Sequence, residues 1–159
     1  MTAYFNFSDE LQKLLLSLDK QFVNEQPEFD YDYLSQRIDE VIPRLERIVG
    51  LTLERRDAQD AFYFSDVGCW KERIDENGAP YYCSMFLVRF SLYGNLTTMT
   101  FSCPDSIVDE QIKKKVVRCL EEYDFIFIDE NVLMAKYNGK HEYFLENNLT
   151  WWDRFFEYE

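Results

Sequence analysis

The stretch Tyr81-Tyr82-Cys83-Ser84-Met85-Phe86-Leu87-Val88-Arg89-Phe90-Ser91-Leu92-Tyr93-Gly94-Asn95-Leu96-Thr97-Thr98-Met99-Thr100-Phe101-Ser102-Cys103 carries the fold reading. Two runs rich in aromatic and β-branched residues flank Gly94-Asn95, a pair suited to a two-residue hairpin turn with glycine first. That turn sets Phe86 opposite Cys103, Val88 opposite Phe101 and Phe90 opposite Met99, and this apolar face is the expected core. The reverse face carries Met85, Leu87, Arg89, Ser91 and Tyr93 against Ser102, Thr100 and Thr98. Its mixed character predicts a wetter surface and makes it the first candidate for binding.

Upstream, Asp75-Glu76-Asn77-Gly78-Ala79-Pro80 separates this hairpin from another extended run, Phe62 to Ile74. With Asn77 and Gly78 as the turn pair, Asp66 lies across from Arg89 and Trp70 across from Met85. Asp66, Trp70, Arg89 and Tyr93 are therefore candidate partner-binding residues on one face. Leu51 to Arg56 reads as a further strand. Before it, the pattern is helical. Leu11, Leu14, Leu15, Leu18 and Phe22 follow the start at Ser8 and run to about Asn24. Leu34, Ile38, Val41, Ile42, Leu45, Ile48 and Val49 then form a second helix, kinked at Pro43 and capped by Gly50.

Downstream, Ser106 with Asp109 matches a capping box for a third helix. Ile112, Val116, Cys119, Leu120 and Tyr123 make its apolar stripe, and Lys113 to Lys115 face mostly outward. Phe125–Ile128 and Val132–Tyr137 read as short strands. Thr150-Trp151-Trp152-Asp153 opens a last helix whose Trp151, Trp152, Phe155 and Phe156 should be buried, against the body or a second copy of the chain, because an exposed patch of that size is rare.

The order helix, helix, four strands, helix, two strands, helix lacks the regular alternation of a parallel α/β fold. It predicts a single α+β domain over 1–159, with a helical pair at 8–49, strands within 51–103, a helix at 106–123, strands within 125–137 and a helix at 151–157. The sheet is expected to be antiparallel, with about five to six strands and the helices packed mainly on one face. A chain of 159 residues with 47% apolar and 18% aromatic content is long and apolar enough to bury one core.

No basic start, secretory apolar run or membrane-length segment is present, so the expectation is a cytoplasmic protein with no membrane association. Cys69, Cys83, Cys103 and Cys119 lack a CxxC pair and read as reduced core thiols. The glycosylation-like triplets at Asn6, Asn95 and Asn148 are then chance matches.

Thirty acidic residues against seventeen basic ones give a net charge of −13. Such a charge repels phosphate backbones, which argues against direct nucleic-acid binding and favours a basic protein partner; the same acidity also keeps an aromatic-rich chain soluble. Glu121, Glu122, Asp129 and Glu130 join the candidate partner-binding set as acidic clusters, otherwise read as solvated helix and turn surface.

Catalytic apparatus is hard to find. The single histidine, His141, sits between the Asn138-Gly139 turn and Glu142 and reads as a surface residue, since an acid or base needs supporting groups. Asp30, Asp32 and Asp39 are the best carboxylate cluster for a metal, yet a helix N-terminus favours acidic residues anyway. A calcium loop from Asp75 fails at Pro80 and Phe86, the positions requiring Gly and Glu. The glycines at 50, 68, 78, 94 and 139 are isolated turn or cap residues, not a phosphate-binding loop. No cofactor, metal or catalytic residue is assigned, and the balance leans away from an enzyme.

The leading expectation is therefore a small acidic binding protein, in concrete form an immunity or inhibitor protein that neutralises a basic partner such as a bacterial nuclease toxin. A small-molecule binding or catalytic domain, with a pocket lined by Tyr63, Tyr82, Phe86, Phe90 and Tyr123, is the first alternative. A nucleic-acid mimic or assembly component is the second.

Overall fold

A computed structural model describes residues 9–21, 31–57, 64–91, 95–100, 102–103 and 108–156. The expectations placed on Ser8, Phe22 to Asp30, Tyr63, Tyr93, Gly94, Phe101, Ser106 and residue 157 lie outside this set. Two helices, α1 (Asp9–Gln21) and α2 (Tyr31–Val49), precede a five-stranded sheet of β1 (Glu54–Asp57), β2 (Phe64–Ile74), β3 (Pro80–Ser91), β4 (Leu96–Thr100) and β5 (Ile126–Phe127). Helix α3 (Glu110–Glu122) joins β4 to β5, and the short helices α4 (Glu130–Leu133), α5 (Glu142–Glu146) and α6 (Trp151–Phe156) follow.

The class is α+β, with strands in the order β1-β2-β3-β4-β5. The all-antiparallel expectation is corrected at one edge, where β4 and β5 are parallel, with Leu96 opposite Ile126 and Thr97 opposite Phe127. Helix α3 carries the chain back along the sheet, so β5 enters in the direction of β4.

The hairpin register also differs from expectation. Val88 lies opposite Met99 and Phe90 opposite Thr97, a displacement of two residues. A two-residue slip preserves which side chains share a face, so the core face is the expected one although its pairs are not. The same displacement corrects the reading of the cysteines as isolated thiols. The Cys103 N–H donates to the Ser84 carbonyl at 3.0 Å, and Cys83 and Cys103 form a disulfide with Cα atoms 5.1 Å apart. Cys69 and Cys119 are free thiols.

At the other hairpin, the turn is wider than Asn77-Gly78. Ile74 pairs with Pro80, and the Asp75 N–H donates to the Ala79 carbonyl, with Gly78 at φ 80°. The added residue is taken up by a bulge at Cys69/Trp70, beyond which Asp66 opposes Arg89 as expected while Trp70 opposes Ser84 rather than Met85. Gly68 is no turn residue. It sits inside β2, where an added Cβ would lie 2.6 Å from the Phe86 carbonyl oxygen.

One apolar cluster joins Val67, Phe86, Val88, Phe90, Met99 and Phe127 of the sheet to Ile38, Val41 and Leu45 of α2 and Val116 and Leu120 of α3. Helix α2 runs unbroken through Pro43, and Gly50 takes the left-handed conformation, φ 70°, expected of its cap. A second cluster gathers Leu15 of α1, Leu96 of β4, Ile128, Val132, Leu133, Tyr137, Phe144, Trp151, Phe155 and Phe156. Because strand side chains alternate, Leu96 lies on the opposite face from Met99, and the sheet separates the two clusters.

The reverse face is the less buried one, as expected, but it is not wet throughout: Met85, Arg89 and Thr100 are half-buried, whereas Leu87, Ser91 and Thr98 are buried as fully as the core-face residues they alternate with. The C-terminal segment packs on part of this face. The Ser91 hydroxyl donates to the Phe155 carbonyl at 2.6 Å, and Arg89 Nη1 to the Phe156 carbonyl at 3.0 Å. Trp151, Phe155 and Phe156 are buried within this chain, and the Thr150–Asp153 capping box forms, with the Thr150 N–H donating to Asp153 Oδ2 at 2.8 Å.

The region read as the strand Val132–Tyr137 begins as helix α4. Asp129 caps it by accepting from the Asn131 N–H at 2.9 Å, and adjacent Val132 and Leu133 are both buried, a spacing incompatible with a two-faced strand. Only Lys136 pairs in extended fashion, with Thr150.

Candidate functional site

A cleft of about 400 Å³ opens where the N-terminal ends of α3 and α4 approach each other beside the sheet. Met99 of β4 and Val108 supply apolar wall, Asp109, Glu110 and Lys113 come from the start of α3, and Asp129, Glu130 and Asn131 from the start of α4. Four acidic residues and one lysine thus line the cleft.

Local capping chemistry sets this lining. Asp109 is the cap of α3: its carboxylate accepts from the Ile112 N–H at 2.8 Å. Asp129 has two tasks. One oxygen caps α4, and the other accepts from Lys113 Nζ at 2.6 Å. The Asp129 carboxylate is nearly buried, so this pair is desolvated on its acidic side and fixes α3 relative to α4. Lys113, expected to face outward, turns inward to make it. Glu110 is exposed and Glu130 half-buried, which leaves the cleft mouth negative.

The sequence-derived candidates do not converge on one site. Asp66 and Arg89 face each other as expected, in a bidentate pair with Arg89 Nε to Asp66 Oδ1 at 2.8 Å and Nη2 to Oδ2 at 3.0 Å. The Arg89 guanidinium also lies 3.8 Å from the centre of the Phe64 ring, and it serves as the bolt between the sheet and α6. Trp70 is half-buried under the Arg56 guanidinium, 3.8 Å from its ring centre. Glu122 pairs with Arg44 at 2.7 Å, while Glu121 is exposed. Of the seven candidates among the described residues, Asp129 and Glu130 alone line the cleft, and Tyr93 lies outside the described residues.

Asp109, Glu110, Lys113 and Met99 are the site residues that sequence reasoning missed. The signal was Asp109 itself, whose spacing to Ile112 suits a cap as well as a box partner. Of the aromatic pocket set, Phe86 and Phe90 are wholly buried in the core and Tyr82 is exposed, while Tyr63 lies outside the described residues.

Asp32 opens α2, Asp39 pairs with Arg55 at 2.9 Å, and among the described residues no group of three or more His, Cys, Asp or Glu side chains is arranged to hold a metal ion. His141 is half-buried at the start of α5, its ring edge-on to Phe144 with centroids 4.9 Å apart. Among the described residues, no helix is long and apolar enough to cross a membrane. No protein-family model, curated protein or solved structure matches this chain.

Proposed function

We propose that this chain is an acidic protein-binding domain that neutralises a basic protein partner, in the manner of an immunity or inhibitor protein acting on a cationic nuclease. The observation that carries the reading is the cleft between α3 and α4, which Asp109, Glu110, Asp129 and Glu130 line with a single lysine, Lys113, on a chain of net charge −13. A lysine or arginine side chain of the partner enters with its stem on Met99 and Val108 and its cation toward Glu110 and Glu130. Long-range attraction raises the rate of encounter, the property a neutralising protein needs. A cytoplasmic site of action belongs to the same reading.

Surface-binding kinetics against a panel of cationic nuclease domains, at low and high salt, tests it. The expected result is one partner whose association rate falls steeply with salt. The Glu110→Lys/Glu130→Lys chain should associate at least about tenfold more slowly. Absence of any basic partner, or an association rate indifferent to salt and to both reversals, would refute the reading.

A further inference from the structure

We propose that the outer half of the β2–β3 hairpin, Lys71 to Tyr82, is a rigid arm that docks on the basic partner through an apolar, carboxylate-bearing face. The inference rests on the reading of the chain as a neutraliser of such a partner and adds an anchor to its charged cleft. Strand β1 pairs with β2 only as far as Gly68, and β4 pairs with β3 only from Leu87 to Phe90. Among the described residues, no third strand therefore flanks the hairpin beyond Trp70 and Ser84, although β2 and β3 stay paired out to Ile74 and Pro80.

A two-stranded hairpin standing off its sheet is marginal by itself. This one is tied at both ends. At the tip, Asp75 Oδ1 accepts from the Asn77 N–H at 2.8 Å and from the Ala79 N–H at 2.9 Å, and the Asp75 N–H donates to the Ala79 carbonyl at 2.9 Å. At the base, the Cys83–Cys103 disulfide and the Ser84–Ser102 hydrogen bonds join β3 to the chain just beyond β4.

The arm nevertheless holds apolar side chains in water. Ile74 is 71% and Tyr82 68% exposed, more than any other large apolar side chain among the described residues. Glu72 lies opposite Tyr82 and Ile74 opposite Pro80, so alternation places these four on one face and Lys71, Arg73 and Tyr81 on the other. The first face thus carries a carboxylate and no cation, and exposed Glu76 follows at the tip. Apolar surface that is already ordered is buried at little entropic cost. Its complement is a surface with a lysine or arginine beside an apolar groove. A second copy of the chain would instead bring like carboxylates, and two net charges of −13, against each other. Met99 of the cleft wall pairs with Val88, four residues along β3 from Ser84 at the base of the arm. That is roughly 13 Å of strand, so one partner surface reaches both.

The test compares the full chain with Ile74→Ser/Tyr82→Ser and with Glu72→Lys in binding kinetics against the same cationic nuclease domains, follows hydrogen exchange of the unmodified chain in the complex, and measures its mass alone by light scattering. Contacts made after encounter act on dissociation, so both variants should leave the partner at least about tenfold faster. For Ile74→Ser/Tyr82→Ser the association rate should stay within about twofold, the opposite signature from the cleft reversals. Exchange over residues 71–82 should slow in the complex, and the free chain should be monomeric. A partner that associates in a salt-sensitive manner, but whose dissociation ignores these variants or whose binding leaves exchange over 71–82 unchanged, would overturn the arm and leave the neutralising reading standing. Absence of any basic partner would overturn both. A dimer of the free chain that Ile74→Ser/Tyr82→Ser dissociates would also overturn the proposal, because the face would then serve self-association.

Discussion

Arg154 Nε donates to Asp19 Oδ1 at 2.6 Å, and each side chain is only 3% exposed, so two charges 135 residues apart in sequence meet inside the second core. Asp19 Oδ2 accepts from the Tyr137 hydroxyl at 2.6 Å, and that hydroxyl accepts from the His141 N–H at 2.9 Å. The network fastens α1 to the C-terminal third of the chain. Asp19→Ala or Arg154→Ala strands the other charge in an apolar setting and should cost about 3–5 kcal/mol in urea unfolding. The paired change Asp19→Leu/Arg154→Met should cost less than either single one; additive losses would show that the charges do not act as a pair.

Tyr137 supplies a pH dependence. Burial, followed by its hydrogen bond to the Asp19 carboxylate, pushes its phenol well above the usual tyrosine range. A group whose proton is held more tightly in the folded state gives stability that is complete below its unfolded pKa, about 10, and lost as pH rises through the folded value. Unfolding free energy should therefore fall with pH above about 10, with a shallower slope in Tyr137→Phe. Ultraviolet titration should find the Tyr137 phenol ionising only as the chain unfolds.

Gly68 and Gly78 should respond differently to alanine. At Gly68 the new methyl group meets the Phe86 carbonyl at 2.6 Å and the Leu87 Cα at 3.3 Å, both backbone atoms within the β2–β3 ladder, and the cost should be about 1–3 kcal/mol. At Gly78 there is open space, and only the positive φ opposes substitution, for about 1 kcal/mol. Equal losses in thermal unfolding would contradict the close approach at Gly68.

The two free thiols should differ in reactivity. Burial raises the Cys119 thiol pKa, against a smaller opposing influence from Arg44, so its thiolate is scarce at neutral pH; Cys69 is half-buried on β2. Iodoacetamide should modify Cys69 in the native chain and Cys119 only in denaturant. Modification of Cys119 at the native rate of Cys69 would mean that α3 is loosely packed.

Local sequence signals were readable where one element decided the outcome. The stripe of α2, the Gly50 cap and the Thr150–Asp153 box all form because each needs only residues a few positions apart. Asp66 opposite Arg89 was reached through two deviations that cancel, since the wider turn at Asn77-Gly78 is offset by the bulge at Cys69/Trp70. What stayed hidden depended on distant partners: the disulfide needed the true register of β3 and β4, the parallel strand needed the path of α3, and the inward turn of Lys113 needed Asp129. The burial of Leu87, Ser91 and Thr98 on the reverse face stayed hidden for the same reason, because alternation along a strand says nothing of a segment such as α6, whose Phe155 carbonyl meets Ser91 from 64 residues later.

The Asp19–Arg154 pair also sets an order of events during synthesis. Helix α1 leaves the ribosome early, but the residues it docks on, Tyr137, Phe144, Trp151 and Phe155, are among the last described ones to follow. Until they emerge, its leucine stripe has no completed core to enter and Asp19 has no counter-charge. Helix α1 is made well before it can be seated, and in the interval its leucines are the surface a chaperone would hold.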